Sequence, residues 1–162
     1  MVPGLPVISD ELLAFLHSGV SMLTGTRDPE LRPKCTRAVG FRVRPDRRGL
    51  RVYLPVATGA DAIANLRACP RIAVTFNRPI DHRTVQMKGD VTAIAEAAEE
   101  ERAIPEAYRA AFVAAVEPVG MAPQVVRRLA CWPAWAIDLE ITHLYKQTPG
   151  PDAGQPLRGG GP

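Results

Sequence analysis

The feature that most constrains the fold is a long strand expected from Thr84 to Ala95, with two-residue alternation as far as Ala93. Val85, Met87, Gly89, Val91 and Ala93 fall on one side, and Thr84, Gln86, Lys88, Asp90 and Thr92 on the other. Side chains of a strand alternate between faces, whereas a helix would scatter both sets around its axis. A strand of this length needs partners along it to satisfy its backbone, so a sheet must be built around it. Gly89 leaves a gap in the apolar face, which predicts a bulge or a close backbone approach there.

Five further runs read as strands. Val20 to Thr26 ends in the turn-forming Arg27-Asp28-Pro29. Cys35 to Arg44 alternates Val39, Phe41 and Val43 with Gly40, Arg42 and Arg44, and Pro45 to Gly49 is a turn signal before Leu50 to Val56. These two runs are expected to form a hairpin. Arg71 to Phe76 and Trp135 to Thr142 complete the set.

Helices fall between them. Ser9 can cap a helix bearing Leu12, Leu13, Phe15 and Leu16, and Gly19 can close it. A short helix is expected from Thr58 or Gly59, with Ala62, Ile63 and Leu66 on its apolar side. Tyr108, Phe112 and Val116 recur every four residues in a longer helix that starts at Glu99 or Pro105 and reaches Glu117. Another short helix is expected from Pro123 to Cys131. Six strands without βαβ repetition predict a mainly β, six-stranded antiparallel barrel with peripheral helices, a flat α+β sandwich being the alternative. Residues 1–148 would form this domain, and 149–162 a flexible Gly/Pro-rich tail.

Composition removes several function classes. The net charge of +3 across 162 residues is too mild for a nucleic-acid surface, and the few aromatic residues argue against a base-stacking platform. Cys35, Cys69 and Cys131 form no CxxC pair, so neither a metal site nor a dithiol redox motif is expected. No secretory leader and no run of about 18 apolar residues is present, so a cytoplasmic protein with no membrane partner is expected.

Three stretches carry a resemblance to a known family: CTRAVGFRV from Cys35 to Val43, GLRVYLPVATGADAIANLRACPRIAVTF from Gly49 to Phe76, and HRTVQMKGDV from His82 to Val91. Together with the order of elements, they resemble the pyridoxamine 5'-phosphate oxidase-like FMN-binding split β-barrel proteins, over roughly Ser9 to Thr148. The resemblance implies an FMN-type cofactor held at the interface of a homodimer, and an oxidoreductase acting on a small molecule. Position by position it implies cofactor contacts from Arg37, from Tyr53, Leu54, Pro55 and Val56, from Thr58, and from Thr84, Gln86 and Lys88. The chain departs from the family at Thr58-Gly59-Ala60-Asp61, where a carboxylate stands near the place of a phosphate-binding basic residue. Like charge repels a phosphate dianion, so either Arg37, Arg67, Arg78, Arg83 or Lys88 replaces the missing cation, or the flavin is held weakly, or the ligand differs.

Read as residues alone, Arg37 is either a solvated strand charge or a phosphate contact, and Gln86 and Lys88 are either solvent partners of Asp90 or cofactor contacts. Arg78, His82 and Arg83 form the densest polar cluster. They are either a hydrophilic hairpin loop or a substrate-binding site for an anion, with His82 able to exchange protons near neutral pH. No catalytic acid–base pair stands out. A deazaflavin or haem in the same barrel is one alternative, with His17, His82 or His143 as the haem ligand. A non-catalytic binding or dimerisation module is another.

Overall fold

The structure, a computed structural model, describes residues 5–157. Helix α1 (Asp10–Leu16) is followed by β1 (Ser21–Arg27), β2 (Pro33–Arg37), β3 (Phe41–Val43) and β4 (Gly49–Pro55). Then come α2 (Val56–Ala68), β5 (Arg71–Asn77), β6 (Thr84–Glu96), α3 (Ala103–Val116), α4 (Pro123–Arg127) and β7 (Ala134–Lys146). The seven strands form one antiparallel sheet in the order β2-β1-β5-β6-β7-β4-β3. No helix among the described residues is long and apolar enough to cross a membrane.

The expected six strands are seven because the run from Cys35 to Arg44 is two strands. Its first half pairs with β1 and its second half with β4, so only Phe41–Val43 makes the anticipated hairpin. Between them, residues 38–40 cross from one end of the sheet to the other. Ala38 N–H donates to Met22 O of β1 (3.2 Å), and Val39 N–H donates to Tyr53 O of β4 (2.9 Å). A flat sheet of seven strands would hold β2 and β3 roughly 29 Å apart at about 4.8 Å per strand. Four Cα steps from Arg37 to Phe41 span at most about 15 Å. The sheet must therefore roll into a split barrel, its edges joined by chain and not by a ladder.

The rolled sheet encloses the main core. Met22, Val52, Leu54, Val74, Phe76, Met87, Ile137 and Ile141 turn inward, while α1 contributes Phe15 and Leu16 and α2 contributes Ile63 and Leu66. Helix α1 begins as expected, with Ser9 Oγ accepting from Leu12 N–H. Helix α2 starts earlier than expected, at Val56, because Pro55 already ends β4. Strand β7 runs to Lys146, beyond Thr142, because it continues to pair with Val85–Lys88 of β6. The tail is not wholly free: Lys146 N–H donates to Gln155 O, Leu157 N–H donates to Leu144 O, and Leu157 packs on the core. Arg158 to Pro162, the rest of the expected flexible tail, lie outside the described residues.

A second, smaller core covers the outer side of β4, where Tyr53 packs with Val39, Cys131, Ala134 and Ala136. The Tyr53 hydroxyl donates to Glu101 Oε1 at 2.8 Å, and Arg51 donates to the same oxygen at 2.8 Å while gripping Asp138 with two further bonds of 2.8 and 2.7 Å. Ala98 N–H donates to the other Glu101 oxygen. This network fastens the segment leading into α3 onto β4 and β7. Burial raises the Tyr53 phenol well above its usual range, and the Glu101 bond adds to it. Burial also pushes the Glu101 carboxyl upward, but the bonds from Arg51, Tyr53 and Ala98 outweigh it and hold the group below its ordinary 4.5.

A depressed carboxyl stabilises the fold above its unfolded-state pKa and loses that contribution as pH falls through its folded value. The wild type should therefore begin to lose this contribution below about pH 4.5. Glu101→Gln should cost about 1–3 kcal/mol at pH 7, with the gap to wild type narrowing in acid. Melting temperatures measured across pH check both. Gly89 gives a second expectation. The ladder shifts register between Lys88 and Gly89, and a Cβ on Gly89 would collide with Glu140 O and lie 2.7 Å from Leu139 Cδ1. Gly89→Ala should destabilise by about 1–3 kcal/mol, whereas Gly25→Ala, whose Cβ meets only Ala73 Cβ at 3.8 Å, should stay within about 0.5 kcal/mol. Denaturant melts compare the two.

Candidate functional site

Pairing register decides which polar side chains meet on the outside of the barrel. Antiparallel partners face the same way, so one row runs Arg37, Leu23, Thr75, Gln86, Tyr145 across β2, β1, β5, β6 and β7. The next row runs Cys35, Gly25, Ala73, Lys88, His143. Each crosses four strand spacings, about 19 Å. Gly25 and Ala73 leave the middle of the second row open, with Lys88 and His143 beside them. Leu23 is exposed here, while the inward-facing Met22, Val74 and Met87 are fully buried.

Toward one end the surface sinks into a groove of about 570 Å³, floored by Gly25 and Ala73 and rimmed by Arg27, Arg71, Lys88 and His143. Asp90 is the carboxylate on this rim and stands 3.8 Å from Arg71. Lys88 Nζ lies 5.2 Å from the centre of the Tyr145 ring. Three cations, Arg27, Arg71 and Lys88, against one carboxylate give the groove a positive field suited to an anion.

Arg37, Gln86 and Lys88, singled out from the sequence, thus share one face. Arg37 is half-buried: it donates to Ser21 Oγ at 2.9 Å and its guanidinium lies 5.6 Å from the Phe112 ring. Gln86 donates to Thr75 Oγ1. Thr84 lies one row further along the same face, but it is buried, its hydroxyl donates to His82 O and accepts from Asn77, and its N–H donates to Thr148.

Others fall elsewhere. Tyr53 and Leu54 are fully buried in the two cores. The Tyr53 backbone is also committed, its N–H donating to Gly40 O and its carbonyl accepting from Val39. Pro55 is buried at the end of β4, and Val56 and Thr58 are exposed in the first turn of α2. Asp61 pairs with Lys34 at 2.6 Å. Lys34 sits opposite Thr26, which is buried beneath the sheet, so this pair belongs to the α2 side and not to the outer face.

The Arg78, His82 and Arg83 cluster occupies the turn between β5 and β6. Arg78 pairs with Asp81 at 2.5 Å, Arg83 pairs with Glu11 at 2.7 Å, and both guanidinium groups sit over the Phe15 ring. The hydrogen bond from Arg78 draws the Asp81 carboxyl down to about 2. His82 has a positive φ of 57°, and its ring makes no hydrogen bond among the described residues. The three histidines do not meet: His17 stacks near Phe41 beside α1, His82 is in this turn, and His143 is on the outer face. Tyr108 lies against Arg37 and accepts from Met22 N–H, and burial pushes its phenol up to about 12.

Leu23, Gly25, Ala73, Thr75 and Tyr145 were not singled out from the sequence, and His143 only as one of three candidate haem ligands. Alternation places each on an outward face, but only the register shows that they adjoin Arg37, Gln86 and Lys88.

Comparison with known proteins fits this architecture. Residues 8–132 match the family model of pyridoxamine 5'-phosphate oxidase. No curated protein matches. Among solved structures, HupZ from Group A Streptococcus superposes with a TM-score of 0.56 at 14% identity, covering 91% of this chain and 100% of the other. An F420 reductase gives 0.54 at 17% identity, over 83% and 95%. An FMN-binding, pyridoxamine 5'-phosphate oxidase-related protein from Nostoc punctiforme gives 0.50 at 16% identity, over 88% and 84%. At these identities the structural likeness speaks for the fold, and the sequence match over most of the chain establishes the relationship: the chain belongs to the pyridoxamine 5'-phosphate oxidase family.

Proposed function

We propose that the chain is an FMN-dependent oxidoreductase acting on a small molecule, with the cofactor lying on the outer face between Arg37 and Lys88. The observation that carries this reading is that Arg37, Gln86 and Lys88 share one outer face with the open floor made by Gly25 and Ala73, in a chain of this family.

The residues fit such a group. A flavin phosphate needs charge-assisted donors, and Arg27, Arg37, Arg71 and Lys88 stand on or beside this face. Asp61 does not oppose them, because Lys34 holds it on the α2 side. The flavin would supply the electron chemistry, and the protein would supply position, charge and exclusion of water. Exposed Leu23 and the uncharged middle of both rows suit a second copy of the chain covering the cofactor as a homodimer. His82, with a free ring at the end of β6, is the proton-exchanging group on the substrate side, flanked by Arg78 and Arg83. A cytoplasmic setting belongs to this reading, in keeping with three unpaired cysteines.

A deazaflavin of the F420 type is the second reading. It is favoured by the fold shared with an F420 reductase.

Freshly purified protein should show a flavin absorption band or acquire one on adding FMN, and mass spectrometry of the released ligand should return FMN. Arg37→Gln and Lys88→Gln should each weaken FMN binding about tenfold, the value of one charge-assisted contact, with melting temperature checked alongside. Protein that stays colourless and ignores added FMN would contradict the reading. Release of F420 in its place would favour the second.

A further inference from the structure

A second cavity lies away from the outer face. It is a groove of about 670 Å³ between α1, β3 and α3, and it holds none of the residues proposed for cofactor or substrate. Its walls are apolar: Leu13 and Leu16 from α1, Phe41 and Val43 from β3, Ile104 and Ala107 from α3. Gly19 sets its depth. With φ at 77°, and space for a Cβ taken by Ala115 Cβ at 2.7 Å and Ala111 O at 2.8 Å, it lets the end of α1 lie directly against α3. Ligand pockets commonly span about 300–1,000 Å³ with mostly apolar walls and a few placed polar groups.

His17 at the end of α1 and Tyr108 of α3, whose hydroxyl accepts from Met22 N–H, also line the groove, and its charged groups lie on the β3 side. Strand β3 pairs only with β4. Arg44 N–H donates to Gly49 O, so by alternation Arg42 also points its backbone at β4, and Phe41 and Val43 point theirs at the free edge. Three arginines stand along this rim. Arg44 is held by Asp46 at 2.7 Å and Glu140 at 3.4 Å, and Arg47 by Asp10 at 2.5 Å. Arg42 is different. Its side chain is 57% exposed, and its nearest carboxylate, Glu101 at 4.0 Å, already accepts from Arg51 and Tyr53. One guanidinium with spare donors beside an apolar trough matches one monoanion on an apolar body.

We infer that the groove between α1, β3 and α3 binds a small hydrophobic carboxylate, its apolar body between the helices and its carboxylate on Arg42. The groove is formed by this chain alone, and the binding does not depend on a flavin.

Isothermal titration of the full chain with decanoate and with decanol tests it. Decanoate should bind saturably, one per chain, and about tenfold tighter than decanol, as expected for one charge-assisted pair. Arg42→Gln should bring decanoate to the level of decanol and leave decanol unchanged. Ala107→Trp, or Leu13→Trp on the opposite wall should the first not fold, should abolish both. Flavin content and spectrum should be unaffected by any of these, which separates failure here from failure of the cofactor reading. The inference is overturned if wild type binds neither ligand, if acid and alcohol bind equally, or if a folded groove-filling variant binds decanoate like wild type.

Discussion

Two adjacent backbone hydrogen bonds hold the architecture together. Ala38 N–H reaches β1 and Val39 N–H reaches β4, although five strands of sheet separate the edges at which residues 33–37 and 41–43 pair. A flat sheet cannot satisfy both bonds, so the sheet curls. Curling then creates the enclosed core, and it leaves β3 as a short edge strand facing α1 and α3. The bend also turns the middle of the sheet outward, so that β1, β5 and β6 present the rows from Arg37 to Tyr145 and from Cys35 to His143.

Much of this was legible in the sequence because alternation is a direct record of which side of a sheet is buried. Val85 and Met87 are buried and Lys88 is exposed, as the pattern in β6 requires, and Gly89 marks the register shift anticipated for it. The division of the Cys35–Arg44 run was not legible. Arg37 breaks the apolar phase of Val39, Phe41 and Val43, but one odd residue does not separate two strands, and what ends β2 is a change of partner, a tertiary event. The tail shows the same limit from the other side. A Gly/Pro-rich composition disfavours intrinsic order, yet Leu157 finds the core and its amide finds Leu144 once β7 is in place.

The candidate site divides along similar lines. Family likeness marked Arg37, Gln86 and Lys88, and pairing brings them to one face. Tyr53 and Leu54 were marked by family likeness in a run that looks half-exposed. They are buried because β4 is covered on both sides, inside by the barrel and outside by the segment that Glu101 ties down. That second cover comes from residues some fifty positions later, which no local reading of Leu50 to Val56 can reveal. The small residues of the site escaped notice for the opposite reason: Gly25 and Ala73 have no chemistry of their own and matter only as the open floor between the cations.

The central claim is that this floor, and not the groove beside α1, is where the cofactor lies. A crystal structure of the protein saturated with FMN tests it most directly. The account predicts ligand density along the outer face, with the phosphate within hydrogen-bonding reach of Arg37 or Lys88 and the ring over Gly25, Ala73 and Gln86. Density for FMN between α1, β3 and α3, or a crystal grown with saturating FMN in which the outer face carries none, would contradict it.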